Sequence, residues 1–370
     1  MSELAKHLPE ESPVVEAIYA AYKRRGDSEQ PRGYLGASII GHSCGRYLWY
    51  VFRYCCKPNF SGRMYRLFST GDHEEARFIA DLRAIGCEVH ETDPNTGKQF
   101  EVNALGGHFS GHMDGCVLGV PTAEKTWHVC EFKTHNDKSF KQLRKEGVQA
   151  TKPQHWAQMQ VYMHLTGMSR ALYLAVNKDT DELHAERVRY DRDGAEALIE
   201  KARRIITDPV PPERIATRQD YFECRWCDAN TICWGGASTG PALPIPEVNC
   251  RQCCHATPAM DGNARWVCER HKRSLSPSDQ SRACGDHLVL PGLLESHSAP
   301  ADYSDDGIQF ALNAAAAAGE ERWKHGKGGF TTQELMKLPP SALVNPTLAA
   351  AKEHFGAFIA DFSPEDILAR

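Results

Sequence analysis

The chain lacks any long hydrophobic run. Of its 370 residues, 41% are apolar, and no window approaches the roughly 20 consecutive apolar residues that a membrane-spanning helix needs. The first thirty residues carry acidic side chains and early prolines, which are not typical of a secretory signal or a transit peptide. The sequence therefore predicts a cytoplasmic protein that does not contact a membrane.

The chain also lacks an excess of charge of one sign. It has 43 basic and 48 acidic residues, a formal net charge of −5. This balance excludes binding to nucleic acid through bulk positive charge, so any such binding must use a local basic patch. The charged fraction of 25% is that of a globular protein and not of a disordered one.

The length predicts two domains with small appendages. Residues 1–240 are expected to form one domain, which is helical at both ends and rich in strands in the middle. The Pro-rich segment GPALPIPEV then introduces a small Cys/His-rich module, assigned to residues 241–295. Residues 296–370 contain an alanine run and are expected to form a helical C-terminal appendage.

Two acidic residues and a lysine form a candidate catalytic group. In a strand, residues two apart point to the same face, so Glu131 and Lys133 are expected to project together while Phe132 faces the core. Asp114 lies on a neighbouring predicted strand. Two carboxylates suit Mg²⁺, and the lysine could orient an attacking water and neutralise charge developing on a phosphate. The alternative is an ordinary solvated strand face.

The order of these and two further motifs resembles the PD-(D/E)XK nuclease superfamily, and within it the RecB-like iron–sulfur exonucleases, which include the AddB nuclease domain and CRISPR-associated and phage exonucleases. The resemblance covers about residues 35–235 and implies a restriction-endonuclease-like α/β core, in which helices flank a mixed central sheet. It rests on the following pieces in order: a helix with Glu75, then Asp114, then Glu131-Phe132-Lys133, then a helix with Gln158 and Tyr162.

The resemblance implies a role for each of these residues. Glu75, Asp114, Glu131 and the backbone carbonyl of Phe132 would hold Mg²⁺ or Mn²⁺. Lys133 would be catalytic. The list of implied catalytic residues is Asp114, Glu131, Lys133, Gln158 and Tyr162, where the Gln and the Tyr would touch the DNA backbone and steady the lysine.

Three positions depart from the family pattern or leave a choice. Gly111-His112-Met113-Asp114 lacks the proline for which the superfamily is named. His73 or Glu74 could replace Glu75 if the helix register is shifted. Gln154 or Gln160 could likewise replace Gln158.

By resemblance, the expected activity is metal-dependent DNA hydrolysis by an exonuclease. The substrate would be single-stranded DNA or duplex ends, processed during DNA recombination, DNA repair or phage DNA metabolism. A recombination or replication protein is a possible partner, and the location would be the cytoplasm of a bacterial or phage-infected cell. The alternative is a non-catalytic nucleic-acid-binding or adaptor protein that keeps the fold and uses metals only for structure.

Fourteen cysteines are unusual for a cytosolic chain and favour metal ligation over disulfides. A first set combines Cys44 with Cys224-x2-Cys227-x5-Cys233. Four thiols suit a [4Fe–4S] cluster or tetrahedral Zn²⁺. The family resemblance favours the [4Fe–4S] cluster, which would join the two ends of the nuclease domain.

A second set lies in the small module and predicts structural Zn²⁺. About forty residues with so few apolar side chains cannot form a stable core unaided. Its metal-ligand spacing is that of Cys250-x2-Cys253, Cys268-x2-His271 and Cys284-x2-His287. We expect the four cysteines Cys250, Cys253, Cys268 and Cys284 to bind the metal, with His271 and His287 as alternates.

Of the six other cysteines, Cys254 is interpreted as a spare adjacent to the second set. The other five lack partners at ligand spacing, so they are expected to be core residues: Cys55, Cys56, Cys87, Cys116 and Cys130. Two basic segments are candidates for DNA contact. One directly follows the Glu-x-Lys strand and contains Lys138, Lys141, Arg144, Lys145 and Lys152. The other contains Arg46, Arg53, Lys57, Arg63 and Arg66. Each could instead be a solvated face.

Overall fold

The computed structural model of this chain describes residues 12–235, 243, 245, 247–295, 298–304, 306–312 and 322–338. Its α-helices are α1 (Pro13–Asp27), α2 (Gly45–Phe52), α3 (Gly62–Ala84), α4 (Asp137–Thr151), α5 (Pro153–Thr166), α6 (Arg192–Thr207), α7 (Phe222–Arg225), α8 (Asn230–Trp234), α9 (Pro277–Gln280) and α10 (Thr332–Leu335).

The strands lie between these helices in groups of one to five along the chain. They are β1 (Leu35–Gly36), β2 (Glu88–His90), β3 (Glu101–Ala104), β4 (Phe109–His112), β5 (Gly115–Leu118), β6 (His128–His135), β7 (Arg170–Asn177), β8 (Leu183–Arg189), β9 (Ala256–Pro258), β10 (Trp266–Cys268), β11 (Arg273–Leu275), β12 (Ser298–Ser304), β13 (Gly307–Leu312) and β14 (Arg322–Gly326). None of the described helices is both long and apolar enough to span a bilayer.

A five-stranded mixed sheet of order β2-β5-β6-β7-β8 carries the candidate catalytic residues. β6 runs parallel to β7, and the other neighbouring strands are antiparallel. The parallel pairing needs a crossover, which α4 and α5 provide. This mixed sheet with flanking helices confirms the predicted α/β fold class.

One face of this sheet is covered by α3. Phe78, Ile79 and Leu82 recur at helical spacing and are buried. The ring of Phe78 lies 5.2 Å from that of Phe132, and burial of one such side chain stabilises the fold by about 1.5–3 kcal/mol. Because Phe132 faces α3, its neighbours Glu131 and Lys133 point to the opposite face of β6.

The chain forms two compact units, each built from separated segments. The first contains residues 1–32, 58–102 and 111–195, and therefore the five-stranded sheet. The second contains residues 33–57 and 103–110 together with residues 196–370. The proposed domain boundaries near residues 240 and 295 stay predictions.

The second unit contains two small sheets, with strand orders β11-β10-β9 and β12-β13-β14. Phe310 and Trp323 stack with ring centroids 4.7 Å apart between β13 and β14. The predicted helical tail is therefore wrong over residues 298–304, 307–312 and 322–326, which form strands. The rest of that prediction, residues 339–370 and the alanine run, lies outside the described residues.

Candidate functional site

The backbone around Asp114 brings its carboxylate to the neighbouring strand β6. Asp114 lies between β4 and β5, and Asp114 Oδ2 accepts a 2.7 Å hydrogen bond from the backbone N–H of Phe132. The next residue, Gly115, has φ 154°, and a Cβ there would lie 2.8 Å from the carbonyl oxygen of His90. Only glycine fits this close approach of two chains, so the turn that positions Asp114 depends on it.

Lys133 is in contact with both acidic residues of the predicted group. Its Nζ lies 2.5 Å from Glu131 Oε1 and 3.9 Å from Asp114 Oδ2. The same Nζ donates a 2.9 Å hydrogen bond to the carbonyl oxygen of Phe132. Glu131 is fully buried, whereas the side chain of Lys133 is 27% exposed. The structure thus brings the three charged groups together, and the ammonium group is the most exposed of them.

Helix α3 places Glu75 beside this group and its alternates elsewhere. The pKa of Glu75 is raised to about 7, mainly by burial and then by the Asp114 carboxylate, while Lys133 opposes both effects. Glu74 instead forms an ion pair with Arg77 at 3.7 Å, and His73 is exposed. Of the three candidates, Glu75 is therefore the one whose pKa is affected by the charges of Asp114 and Lys133.

Gln158 and Tyr162 lie one helical turn apart on α5 and are both buried. Gln158 Nε2 donates to the hydroxyl of Tyr162 at 3.0 Å, and that hydroxyl donates to the carbonyl oxygen of His112 at 2.7 Å. Tyr162 therefore holds the backbone two residues before Asp114. Gln160 hydrogen-bonds instead to the backbone of Arg189 and Asp191.

Burial controls the ionisation of the central pair. It raises the pKa of Glu131 to about 7, with Lys133 opposing the shift and Asp114 adding to it. Burial alone would lower the pKa of Lys133, but the carboxylates of Glu131 and Asp114 outweigh it and raise that pKa above its usual range. Lys133 is therefore always charged near neutral pH, while Glu131 titrates there.

The donor set fits a divalent cation of the Mg²⁺ type. Among the described residues, no group of three or more His, Cys, Asp or Glu side chains is arranged to hold a metal ion. Mg²⁺ does not need such a group, because it is usually bound by one or two carboxylates, water and substrate phosphate. Glu131 Oε2 is buried and lacks a hydrogen-bond partner within the described residues, which leaves it available to a cation beside Asp114.

The raised pKa of Glu131 predicts a stability change with pH in metal-free protein. Its pKa is about 7 in the fold against a reference of 4.5, so the folded state binds more protons between these values. Stability should fall as pH rises through this window, by about 1–3 kcal/mol for this group. Urea unfolding of wild type and Glu131→Gln at pH 5 and pH 8 checks this. From pH 5 to pH 8, the free energy of unfolding of wild type should fall more than that of the variant. An equal change in both proteins would contradict the raised pKa of Glu131.

The basic residues after β6 mostly have partners of their own. Ion pairs join Lys141 to Asp137 at 2.8 Å, Arg144 to Glu182 at 3.3 Å and Lys145 to Glu146 at 3.7 Å. Lys138 is exposed. These exposed pairs are weak and screened by salt, so a DNA phosphate could compete for the basic partner.

Only part of the second basic segment is on the surface, because Lys57, Arg63 and Arg66 are exposed whereas the other two residues are not. Arg46 and Arg53 are buried; Arg46 forms an ion pair with Glu295, and Arg53 donates to the carbonyl oxygens of Arg251 and Asp208 at 3.1 Å. These guanidiniums stabilise the second unit internally. They are therefore not free to bind DNA phosphates.

The first thiol set is brought together within the second unit. Burial raises the pKa of Cys224, and the nearby thiols of Cys233 and Cys44 raise it further. Burial also raises the pKa of Cys227 to about 11, again with contributions from Cys44 and Cys233. Cys44 caps α2, where its Sγ accepts from the N–H of Tyr47 at 3.4 Å. Residues 180 positions apart thus lie within electrostatic reach of each other.

The second thiol set surrounds a small cavity of about 20 Å³, and its walls include Cys250, Cys253, Cys268, His271 and Cys284. Backbone N–H groups point at two of the sulfurs: that of His271 at Cys268 Sγ, 3.4 Å away, and that of Leu288 at Cys253 Sγ, 3.5 Å away. The structure therefore gathers all four predicted cysteines around one space.

Of the two alternate histidines, only one is near the thiols. His271 Nε2 lies 3.6 Å from Cys284 Sγ. His287 is buried, with Nδ1 3.0 Å from Thr332 Oγ1 and Nε2 2.9 Å from the carbonyl oxygen of Asn249. Both ring nitrogens of His287 are thus occupied away from the cavity, and it is not an alternate ligand.

Four of the five cysteines assigned to the core are buried: Cys55, Cys87, Cys116 and Cys130. The prediction holds for these four. Cys56 is half-buried, and its pKa is raised by burial and then by Cys227, so it lies beside the first thiol set.

Sequence reasoning missed a polar cluster next to Lys133. His135, which follows Lys133 by two residues on β6, and His155 of α5 both contact the hydroxyl of Tyr173 at 2.8 Å. Two signals were present in the sequence. His135 shares the strand face of Glu131 and Lys133, and His155 precedes Gln158 by three residues and so shares its helix face.

The family model of the PD-(D/E)XK nuclease superfamily matches residues 58–234. This match spans just under half of the chain and includes every candidate catalytic residue named above. The predicted resemblance is confirmed at this level, while the iron–sulfur branch within it stays a prediction. No curated protein matches the chain significantly.

Among solved structures, the chain is similar to SSO0001, with 16% identity, a TM-score of 0.37, and coverage of 60% of this chain and 96% of that one. It is also similar to the alkaline exonuclease LHK-Exo from Laribacter hongkongensis. The complex of LHK-Exo with dAMP gives 18% identity and a TM-score of 0.35, covering 51% and 90% of the two chains. A second LHK-Exo structure gives 17% identity and a TM-score of 0.31, with the same coverage. Such weak similarity assigns neither a site nor an activity to this chain.

Proposed function

We propose that this protein is a metal-dependent DNA exonuclease that acts in DNA recombination, repair or phage DNA processing. Its superfamily, which is one of nucleases, supports hydrolysis of nucleic acid. The observation that carries the proposal is the contact of Lys133 with two carboxylates, one of them fully buried, on one face of the central sheet. A solvated strand face would not bury Glu131 completely.

The proposed cation is Mg²⁺ or Mn²⁺, which nucleases of this superfamily generally use. When bound, such an ion stabilises charge on the phosphate and leaving oxygens and lowers the pKa of a bound water. Asp114 and Glu131 would hold it, with Glu75 and the carbonyl oxygen of Phe132 as further ligands.

Lys133 supplies the positive charge that the chain itself contributes. Its Nζ is fixed by Glu131 and by the carbonyl oxygen of Phe132, so one of its three N–H donors remains to orient the attacking water. Because Lys133 stays charged, it also neutralises negative charge that develops on the phosphate. Asp114 is fixed through the Phe132 N–H, and Tyr162 holds the chain just before it.

The two thiol sets are proposed as structural metal sites. The effect of the Cys233 and Cys44 thiols on the pKa of Cys224 supports a soft-metal site, such as a [4Fe–4S] cluster. The cavity lined by Cys250, Cys253, Cys268 and Cys284 supports tetrahedral Zn²⁺. Among the described residues, neither set has three or more side chains arranged to hold a metal ion, so the thiols would have to draw together on binding.

The proposed substrate is single-stranded DNA or duplex ends. The supporting feature is α4, which directly follows β6 and carries exposed basic residues: Lys138, Lys141, Arg144 and Lys145. Lys152 lies at the start of α5 and donates to Ser139 at 2.6 Å. A recombination or replication protein remains the proposed partner.

Hydrolysis of linear and covalently closed DNA, with Mg²⁺ or with EDTA, tests the proposal. We expect cleavage of the linear substrate only, complete loss with EDTA, and a loss of at least about a hundredfold in kcat for Asp114→Asn. Asp193→Asn, an exposed acid in the first turn of α6, is the matched control and should keep wild-type activity. DNA binding without metal-dependent cleavage would instead favour an adaptor protein.

A further inference from the structure

A chain of hydrogen bonds runs through the first unit beside Lys133. Lys152 Nζ contacts Ser139 Oγ at 2.6 Å, and Ser139 Oγ lies 3.3 Å from His135 Nδ1. His135 Nε2 contacts the hydroxyl of Tyr173 at 2.8 Å, and that hydroxyl lies 2.8 Å from His155 Nδ1. Five side chains from α4, α5, β6 and β7 are therefore linked in series.

The lysine fixes the direction of this chain. An ammonium group has donors only, so Ser139 accepts from Lys152 and gives its own hydrogen to His135 Nδ1. The proton of neutral His135 is then on Nε2, which donates to Tyr173, and Tyr173 donates to His155 Nδ1. The series therefore leaves His155 with its proton on Nε2. Burial lowers the pKa of His135 to about 4 and that of His155 to about 3, so both rings are neutral near pH 7.

The last member of the series lies on the side of α5 that faces the site. His155, Gln158 and Tyr162 follow at spacings of three and four residues and so share one helix face. Tyr173 is the strand partner of Glu131 in the β6–β7 register. The charge of Lys133 is the largest electrostatic influence on His155. The ring is half-buried, and Tyr173 occupies its Nδ1, so Nε2 is the ring nitrogen left for a further partner.

We propose that His155 is a substrate-contacting residue whose Nε2–H donates a hydrogen bond to a backbone phosphate oxygen of DNA bound at Lys133. This inference rests on the proposed nuclease function. Tyr173 and His135 are positioning residues, which hold the imidazole in the tautomer that donates toward the phosphate. A neutral donor at this place binds phosphate without adding a second cation next to Lys133.

Kinetic assays on variants of His155 test this assignment. We expect kcat/KM to fall about ten- to a hundredfold in His155→Ala, as for loss of a hydrogen bond to a charged group. His155→Gln keeps an N–H donor near the Nε2 position and should recover part of the loss. Because the donor is neutral, the dependence of DNA affinity on salt should stay unchanged, whereas loss of a lysine contact would reduce that slope by about one.

A double-mutant cycle combines His155→Ala with a change in the DNA. The DNA change is a single uncharged methylphosphonate, which replaces each phosphate around the cleavage site in turn. At the contacted phosphate this change should weaken wild type but not weaken His155→Ala further. The control is His164→Ala, since His164 forms a matching 2.8 Å contact with Tyr190 from the same helix. In this control, the substitution and the methylphosphonate should act independently.

Independent effects of His155→Ala and methylphosphonate at every position would overturn the inference while leaving the nuclease proposal standing. The cycle is measured both on cleavage and on DNA affinity by fluorescence anisotropy. A protein that binds without cutting therefore still reports the contact. A wild-type protein that neither cuts nor binds DNA overturns both proposals together.

Discussion

Replacing Lys133 with methionine should lower kcat for DNA hydrolysis by about a hundred- to a thousandfold, the loss typical of removing one fixed electrostatic donor. Methionine keeps the length and apolar body of the side chain and removes only the ammonium group. Because the basic residues of α4 are unchanged, KM for DNA should change far less than kcat. Steady-state kinetics on linear DNA with saturating Mg²⁺ measure both.

The same substitution leaves Glu131 buried without its cation. The nearest positive charge is then gone, so the pKa of Glu131 should rise further above its value of about 7. Higher pH can ionise Glu131 but cannot replace the ammonium group, so it should not restore full activity to Lys133→Met. Glu131 can instead take up a proton, so the fold should survive, which near-wild-type circular dichroism would verify.

Lys125→Met serves as the matched control for Lys133→Met. Lys125 is an exposed lysine in the loop before β6, so its loss removes the same charge without touching the site. Activity of Lys133→Met equal to that of Lys125→Met would refute the assigned chemistry.

The candidate catalytic group could be predicted because it depends on short-range geometry. The two-residue period of a strand is enough to place Glu131 and Lys133 on one face, with Phe132 packed on α3. Helical spacing likewise gives the buried face of α3. The motif order then supplied Asp114 and Glu75, whose contacts with β6 no local pattern contains.

Features that depend on distant parts of the chain escaped prediction. The grouping of residues 33–57 with residues after 196 arises from contacts across the sequence, so local composition gives no sign of it. The alanine run near residue 315 suggested a helix, yet Phe310 and Trp323 on its two sides pair as strands. The histidines beside Lys133 were overlooked because each is alone in the sequence and becomes a network only through Tyr173.

Substitution of a single cysteine should remove the metal from one thiol set, which metal analysis of the purified variants measures. Purified anaerobically, wild type should contain iron, with absorbance near about 400 nm, and one Zn²⁺. Cys224→Ser should lose the iron and keep the zinc, whereas Cys268→Ser should lose the zinc and keep the iron. The two sets share no ligand, so each loss should be independent of the other.

Loss of either metal should also destabilise the fold strongly. In the small module, few apolar side chains support Trp266 and Leu275, which are buried, so metal ligation must supply much of its stability. We expect a loss of about 4 kcal/mol or more for Cys268→Ser, a fall of about 8–16 °C in melting temperature. Cys116→Ala, a buried cysteine of the five-stranded sheet, is the control and should retain both metals. Wild type without zinc, or Cys268→Ser with the zinc retained, would mean that these thiols are ordinary core residues.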